Sequence, residues 1–201
     1  MSRTLSWALM VLGLLSCARF VTAQTRYFPE RTFGNDLQSD RFVSAWYSRQ
    51  LKALHEPSLL EISKLPSAVS YQFLWLRTFH HPVAVRVDVQ SDGRAILTTK
   101  ITSGAGGYSA GNLITNETRI LSKEETDRIV TKINASAFWK MPAYSREQAG
   151  DDGAEWVMEA VDHGRYHLVS EWTPAKGAIH DLGTFFLFDL AKIAVPNREM
   201  Y

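Results

Sequence analysis

The chain of 201 residues is short of several things at once: it has one cysteine, no excess of either charge and no apolar run of bilayer length. A lone cysteine, Cys17, closes no intramolecular disulfide, and no Cys/His cluster has the spacing of a zinc site. With 22 basic against 21 acidic residues the formal net charge is +1, so the chain carries no basic footprint for nucleic acid. No serine or cysteine follows a strand and opens a helix in the manner of a nucleophile elbow. The glycine-rich stretch lacks the Gly-Lys-Ser/Thr of a phosphate-binding loop, and Asp151-Asp152-Gly153 lacks the alternating acids of a calcium loop. Neither a cofactor nor a metal is expected. What remains, 45% hydrophobic and 21% charged residues, is an ordinary globular composition.

The first residues give an address. Arg3 is followed by the uncharged run LSWALMVLGLL at 5–15, and Val21-Thr22-Ala23 is a small-residue site before Gln24. These are the three parts of a secretory signal peptide over 1–23. The run is about half of the ~20 apolar residues a spanning helix needs, so no transmembrane segment is expected after processing. A second route competes: Leu14-Leu15-Ser16-Cys17 looks like a bacterial lipobox, which would make Cys17 an acylated N-terminus. Cutting after Ala23 leaves 178 of the 201 residues. It removes Arg3 and Arg19 but no acid, so 22 basic against 21 acidic becomes 20 against 21, and no cysteine is left. The expected location is the periplasm or the medium.

Residues 24–39 show no period and read as a flexible lead-in to one domain over 40–201. Asp40 is expected to cap a helix whose Val43, Trp46, Tyr47, Gln50, Leu51 and Leu54 share a face. From Ser70 the period becomes 2. The run 71–76 (YQFLWL) reads as a strand buried on both faces, and Val83, Val85, Val87 and Val89 alternate with more polar neighbours. Further strands are expected over 95–102, 113–121, 155–161 and 165–172. Ser122 and Glu125 form a capping box for a helix carrying Ile129 and Ile133, and a last helix covers 181–194. Strands clustered in hairpins, with helices before, between and after, imply an α+β fold. The expectation is a single domain with a six-strand antiparallel sheet and helices packed on one face.

Hairpin registers select a candidate site. A three-residue loop at Ser91-Asp92-Gly93 puts Val87 opposite Leu97 and Val89 opposite Ala95. A three-residue loop at Asp162-His163-Gly164 segregates apolar from polar side chains: Glu155, Glu159, Arg165, His167 and Glu171 then share one face. A two-residue loop mixes charge into both faces. Since a one-residue slip exchanges the faces, the segregated register is expected, with Glu159 directly opposite His167. A carboxylate beside an imidazole suits general acid–base work, and His167 with Glu159 is the candidate catalytic pair. The alternative is an ordinary cross-strand charge pair on a solvated sheet face.

The loop SGAGGYSAG at 103–111 reads as a mobile flap or a backbone-lined ligand contact. Gly104, Gly106, Gly107 and Tyr108, with Arg165 and Glu171, are the candidate ligand-binding residues. His80-His81 precedes Pro82 and reads as a turn, because adjacent strand positions point to opposite faces and chelate no common metal.

Several stretches resemble a family of exported bacterial proteins with no assigned function: Glu56-Pro57-Ser58-Leu59, Phe73-Leu74-Trp75-Leu76-Arg77, the 103–111 loop, Phe138-Trp139 and Asp152-Gly153-Ala154-Glu155-Trp156. The most distinctive is Gly164-Arg165-Tyr166-His167 leading to Glu171-Trp172-Thr173-Pro174. The resemblance implies a bacterial envelope setting and no activity. The expected function is a non-catalytic domain that binds a protein or a small envelope ligand. Two alternatives stand beside it, a small hydrolase or lyase using Glu159 and His167, and a lipid-anchored assembly factor held through Cys17.

Overall fold

Six strands pair side by side in one antiparallel sheet with the order β4-β3-β2-β1-β5-β6. They are β1 (Val69–Arg77), β2 (Val83–Val89), β3 (Ala95–Thr102), β4 (Leu113–Leu121), β5 (Ala154–Asp162) and β6 (Arg165–Trp172). The computed structural model describes residues 25–144, 150 and 152–201. The expected signal peptide, lipobox and Cys17 lie outside the described residues. Helices α1 (Leu37–Ala53), α2 (Leu59–Ile62), α3 (Lys123–Ala135) and α4 (Ala178–Thr184) complete the fold, and α4 runs on into a wider turn over Phe185–Leu190. The α+β class and the single body agree with the sequence.

The helices do not share one face. Phe73, Trp75, Val83, Val85, Val87, Trp156 and Met158 point into one core with Ile129 and Ile133 of α3 and Ile179 and Leu182 of α4. Leu74, Leu76, Ala84, Val157 and Leu168 point the other way, into a second core with Val43, Tyr47 and Leu51 of α1. A central strand covered on both sides buries every residue, as the run from Ser70 to Arg77 does. That pattern is the mark of a sheet between two layers, and it overrides the one-sided arrangement.

The lead-in is tied down. Tyr27, Phe28 and Phe33 are buried in the second core, with Phe33 and Tyr47 rings 5.0 Å apart edge to face. Asp36, not Asp40, caps α1, accepting from the Ser39 N–H at 2.7 Å. Asp40 sits inside the first turn, where its carboxylate accepts the backbone N–H of Arg31 at 3.0 Å and of Phe33 at 2.9 Å. Three aromatic anchors without a period hold a segment that hydrophobic periodicity cannot detect. The capping box of α3 is present: Ser122 Oγ receives the Glu125 N–H and the Glu125 carboxylate receives the Ser122 N–H.

The two hairpins differ. At 91–93 the loop has three residues, with Gly93 in the left-handed region at φ 84° and Val87 opposite Leu97. At 163–164 the loop has two, with Asp162 paired to Arg165 and both His163 (φ 51°) and Gly164 (φ 84°) left-handed. Positive φ at both central residues is the type I′ turn, whose twist matches the strands it joins. Glu159 therefore faces Leu168, and His167 faces Ala160. The segregated register is corrected by one residue.

Candidate functional site

That one-residue difference takes the acid–base pair apart. Alternation along β5 and β6 sends Glu159 to the α1 side of the sheet and His167 to the α3–α4 side. The polar strip divides likewise, with Glu155 and Glu159 on one face and Arg165, His167 and Glu171 on the other.

Glu159 is 2% exposed, and its carboxylate accepts from Tyr166 Oη at 2.8 Å and from Gln72 Nε2 at 3.1 Å. Burial drives its pKa up to about 7, the two hydrogen bonds opposing and Glu56 adding to the rise. Nearby, Glu56 is held by Arg86 Nε at 2.6 Å and Lys100 Nζ at 3.0 Å, and Arg86 also binds Asp88. These charges are stitched beneath α2 and the chain preceding it, where Tyr27 Oη donates to the Glu56 carbonyl oxygen at 3.0 Å.

His167 lies against Phe138, ring centroids 5.0 Å apart, and Trp139, 6.2 Å apart. Desolvation lowers its pKa, opposed by the backbone carbonyl oxygens of Phe138 and Met141, which accept from the ring. Arg165 stacks its guanidinium 3.7 Å above the Trp139 ring and pairs with Asp162 at 2.8 Å. Glu171 is half-buried, which raises its pKa. His167 and Arg165 brace the last hairpin against the turn after α3.

The 103–111 loop is anchored rather than loose. The Gly106 carbonyl oxygen accepts from Trp46 Nε1 at 2.7 Å and Gln50 Nε2 at 3.0 Å, both on α1. Its N–H donates to the His80 carbonyl oxygen at 3.0 Å, and the Gly107 N–H to that of Thr78 at 3.1 Å. A side chain on Gly106 would sit 2.6 Å from the Arg77 carbonyl oxygen, and one on Gly107 would sit 3.0 Å from that of Thr78. A side chain on Gly104 would overlap the Ser109 carbonyl oxygen. The glycines are there for close backbone packing. Gly107-Tyr108-Ser109-Ala110-Gly111 has the spacing of a nucleophile elbow, which the sequence reading passes over, but it joins two antiparallel strands and no helix follows.

The same anchoring makes the loop one wall of a groove of about 470 Å³. Phe42, Trp46 and Arg49 of α1 form the second wall, Tyr108 comes from the loop, and Tyr144 and Trp172 close the far side. Glu155 lies at its base, where Ser170 Oγ donates to its carboxylate at 3.1 Å and lies 3.0 Å from Tyr47 Oη. The aromatic residues of this groove come from four separate stretches, and of them sequence reasoning singled out only Tyr108 as a ligand contact.

No group of three or more His, Cys, Asp or Glu able to hold a metal occurs among the described residues. No helix among them is long and apolar enough to cross a membrane. Compared with protein-family models, with curated proteins and with solved structures, the chain has no match.

Proposed function

We propose that the protein is an exported, non-catalytic binding domain of the bacterial envelope, with the groove between α1, the 103–111 loop and the ends of β5 and β6 as its binding surface. The observation that carries this reading is the exposed aromatic wall: Phe42 is 66% and Tyr108 64% exposed, with Trp46 and Trp172 beside them. Clustered rings left in water around a concave surface favour a partner that covers them. The rings suit an apolar side chain of a protein partner or the flat face of a small ligand, and Arg49 and Glu155 add polar contacts. The hydrolase or lyase alternative rested on Glu159 opposite His167, and these two lie on different faces of the sheet, so the binding reading stands first.

Two measurements test it. A photo-crosslinking residue at position 42 or 108, activated in intact cells, is expected to trap a discrete adduct absent when the same residue sits at exposed position 64. Identical adducts at all three positions, or none at 42 and 108, would overturn the groove. Intact mass of the protein recovered from the envelope is expected to begin at Gln24. Acylation at Cys17 would replace soluble export by a lipid anchor, and an uncleaved chain in the cytoplasm would end the export reading.

A further inference from the structure

The two edges of the sheet are finished differently. On β6 the Ser170 N–H donates to the Ala143 carbonyl oxygen at 2.8 Å and Tyr144 makes a bridge to Ser170, so part of that edge is covered. On β4 (Leu113–Leu121) the one strand neighbour among the described residues is β3, which pairs with every β4 residue except the bulged Ile114. Edge strands are usually blunted by charged side chains, lysine above all, by proline or by a bulge. β4 has no lysine or proline, its two charges, Glu117 and Arg119, are of opposite sign, and its bulge lies at one end, opposite Ile101 and Thr102. It also carries Ile114, 57% exposed, and Ile120, 66% exposed, with Ile96 of β3 across from Ile120. A long, regular edge with exposed isoleucines is a template for another strand.

The sequence of that edge is self-complementary in one register. A two-fold axis perpendicular to the sheet pairs an edge with itself, antiparallel, and keeps the faces in common. Centred on Glu117, the axis sets two glutamates opposite each other, and centred on Arg119 it sets two arginines together. Centred on Thr118 it puts Thr118 against Thr118 of the second copy and Glu117 against Arg119, twice. Threonine pairs and opposite charges are favourable cross-strand neighbours, whereas like charges directly opposite are not. Arg119 reaches Glu125 Oε1 at 2.8 Å within the chain, which holds its guanidinium on the Glu117 side of the sheet.

We propose that β4 pairs with β4 of a second copy of this chain about a two-fold axis at Thr118, joining two six-strand sheets into one of twelve. This pairing uses none of the residues that line the groove.

Sedimentation velocity of the purified full chain over a concentration series reads the association. The unaltered protein is expected to dimerise, and Glu117→Arg or Arg119→Glu alone to weaken the dimer at least about tenfold, since each creates two like-charge contacts. An equimolar mixture of the two variants restores opposite charges at both contacts and is expected to recover the dimer. The double exchange Glu117→Arg with Arg119→Glu in one chain is expected to do the same, and it serves if a single variant folds poorly. A protein that stays monomeric, a dimer indifferent to either reversal, or a mixture no tighter than its components would each overturn the proposal.

Discussion

Tyr166 donates its hydroxyl hydrogen to the Glu159 carboxylate, 2.8 Å away, on the sheet face that carries the second core. The bond satisfies one oxygen of a group whose charge is expensive to bury. Gln72 supplies a second donor to the other oxygen but leaves its own Oε1 without a hydrogen bond.

A pH dependence follows with a definite sign. The pKa of Glu159 is about 7 when folded against 4.5 for the ordinary residue. Between those values the folded chain holds a proton that the unfolded chain has lost, so stability falls as pH rises through this window and levels off above it. The expected penalty above pH 7 is on the order of 3 kcal/mol. Glu159→Gln keeps an acceptor for Tyr166 and removes the charge. Urea unfolding at pH 5 and pH 8 should show the variant gaining on the parent at the higher pH, and an unchanged difference would contradict the assignment.

His167 titrates in the opposite sense. Its lowered pKa means that the unfolded chain takes up a proton before the folded one as pH falls below the ordinary histidine value near 6.5. Stability from this residue is complete above that value and is lost on acidification toward the lowered one. His167→Phe should abolish this loss while keeping contact with Phe138. Thermal melts of both proteins from pH 5 to 8 check it.

Gly183 lies inside α4, where alanine ordinarily stabilises a helix by about 1 kcal/mol. Here a Cβ would fall 2.5 Å from Phe73 Cζ and 2.6 Å from Trp156 Cζ3, so the sign reverses. Gly183→Ala is expected to cost roughly 1–3 kcal/mol through overpacking. Trp156→Ala, at the centre of the same contact and 4% exposed, is expected to cost roughly 3–5 kcal/mol. Denaturant midpoints at constant slope measure both.

Gly106→Ala pushes a methyl group into the backbone at the end of β1 and should release the 103–111 loop from α1. Faster amide exchange at Gly106 and Gly107, whose N–H groups bond the 78–80 turn, is the expected signature. Slow exchange in the variant would show that the loop tolerates the group.

Much of the fold was legible from local chemistry. The capping box at Ser122, the β1 run buried throughout and the Gly93 hairpin each depend on neighbours a few residues away or on one face of a strand pair. The β5–β6 register depends on more. Its loop permits two or three residues, and segregation of polar from apolar side chains as a criterion favours three. That criterion assumes one wet face. Here both faces are covered, so a charged side chain can point inward wherever a donor meets it, as Gln72 and Tyr166 meet Glu159. The local signal for two residues was His163, since histidine is one of the few non-glycine residues that enters the left-handed region readily.

The sequence by itself determined the elements, the antiparallel hairpins and the class of the fold, because periodicity, caps and turns are short-range. Only the tertiary structure decided that α1 and α3–α4 lie on opposite faces, that Glu159 and His167 are separated, and that Phe42, Trp46, Tyr108 and Trp172 surround one groove. Those facts rest on contacts between residues as far apart as Trp46 and Gly106, joined at 2.7 Å. Burial on both sides hides the alternation that would have carried register in the sequence, and the long-range hydrogen bonds of polar side chains replace it.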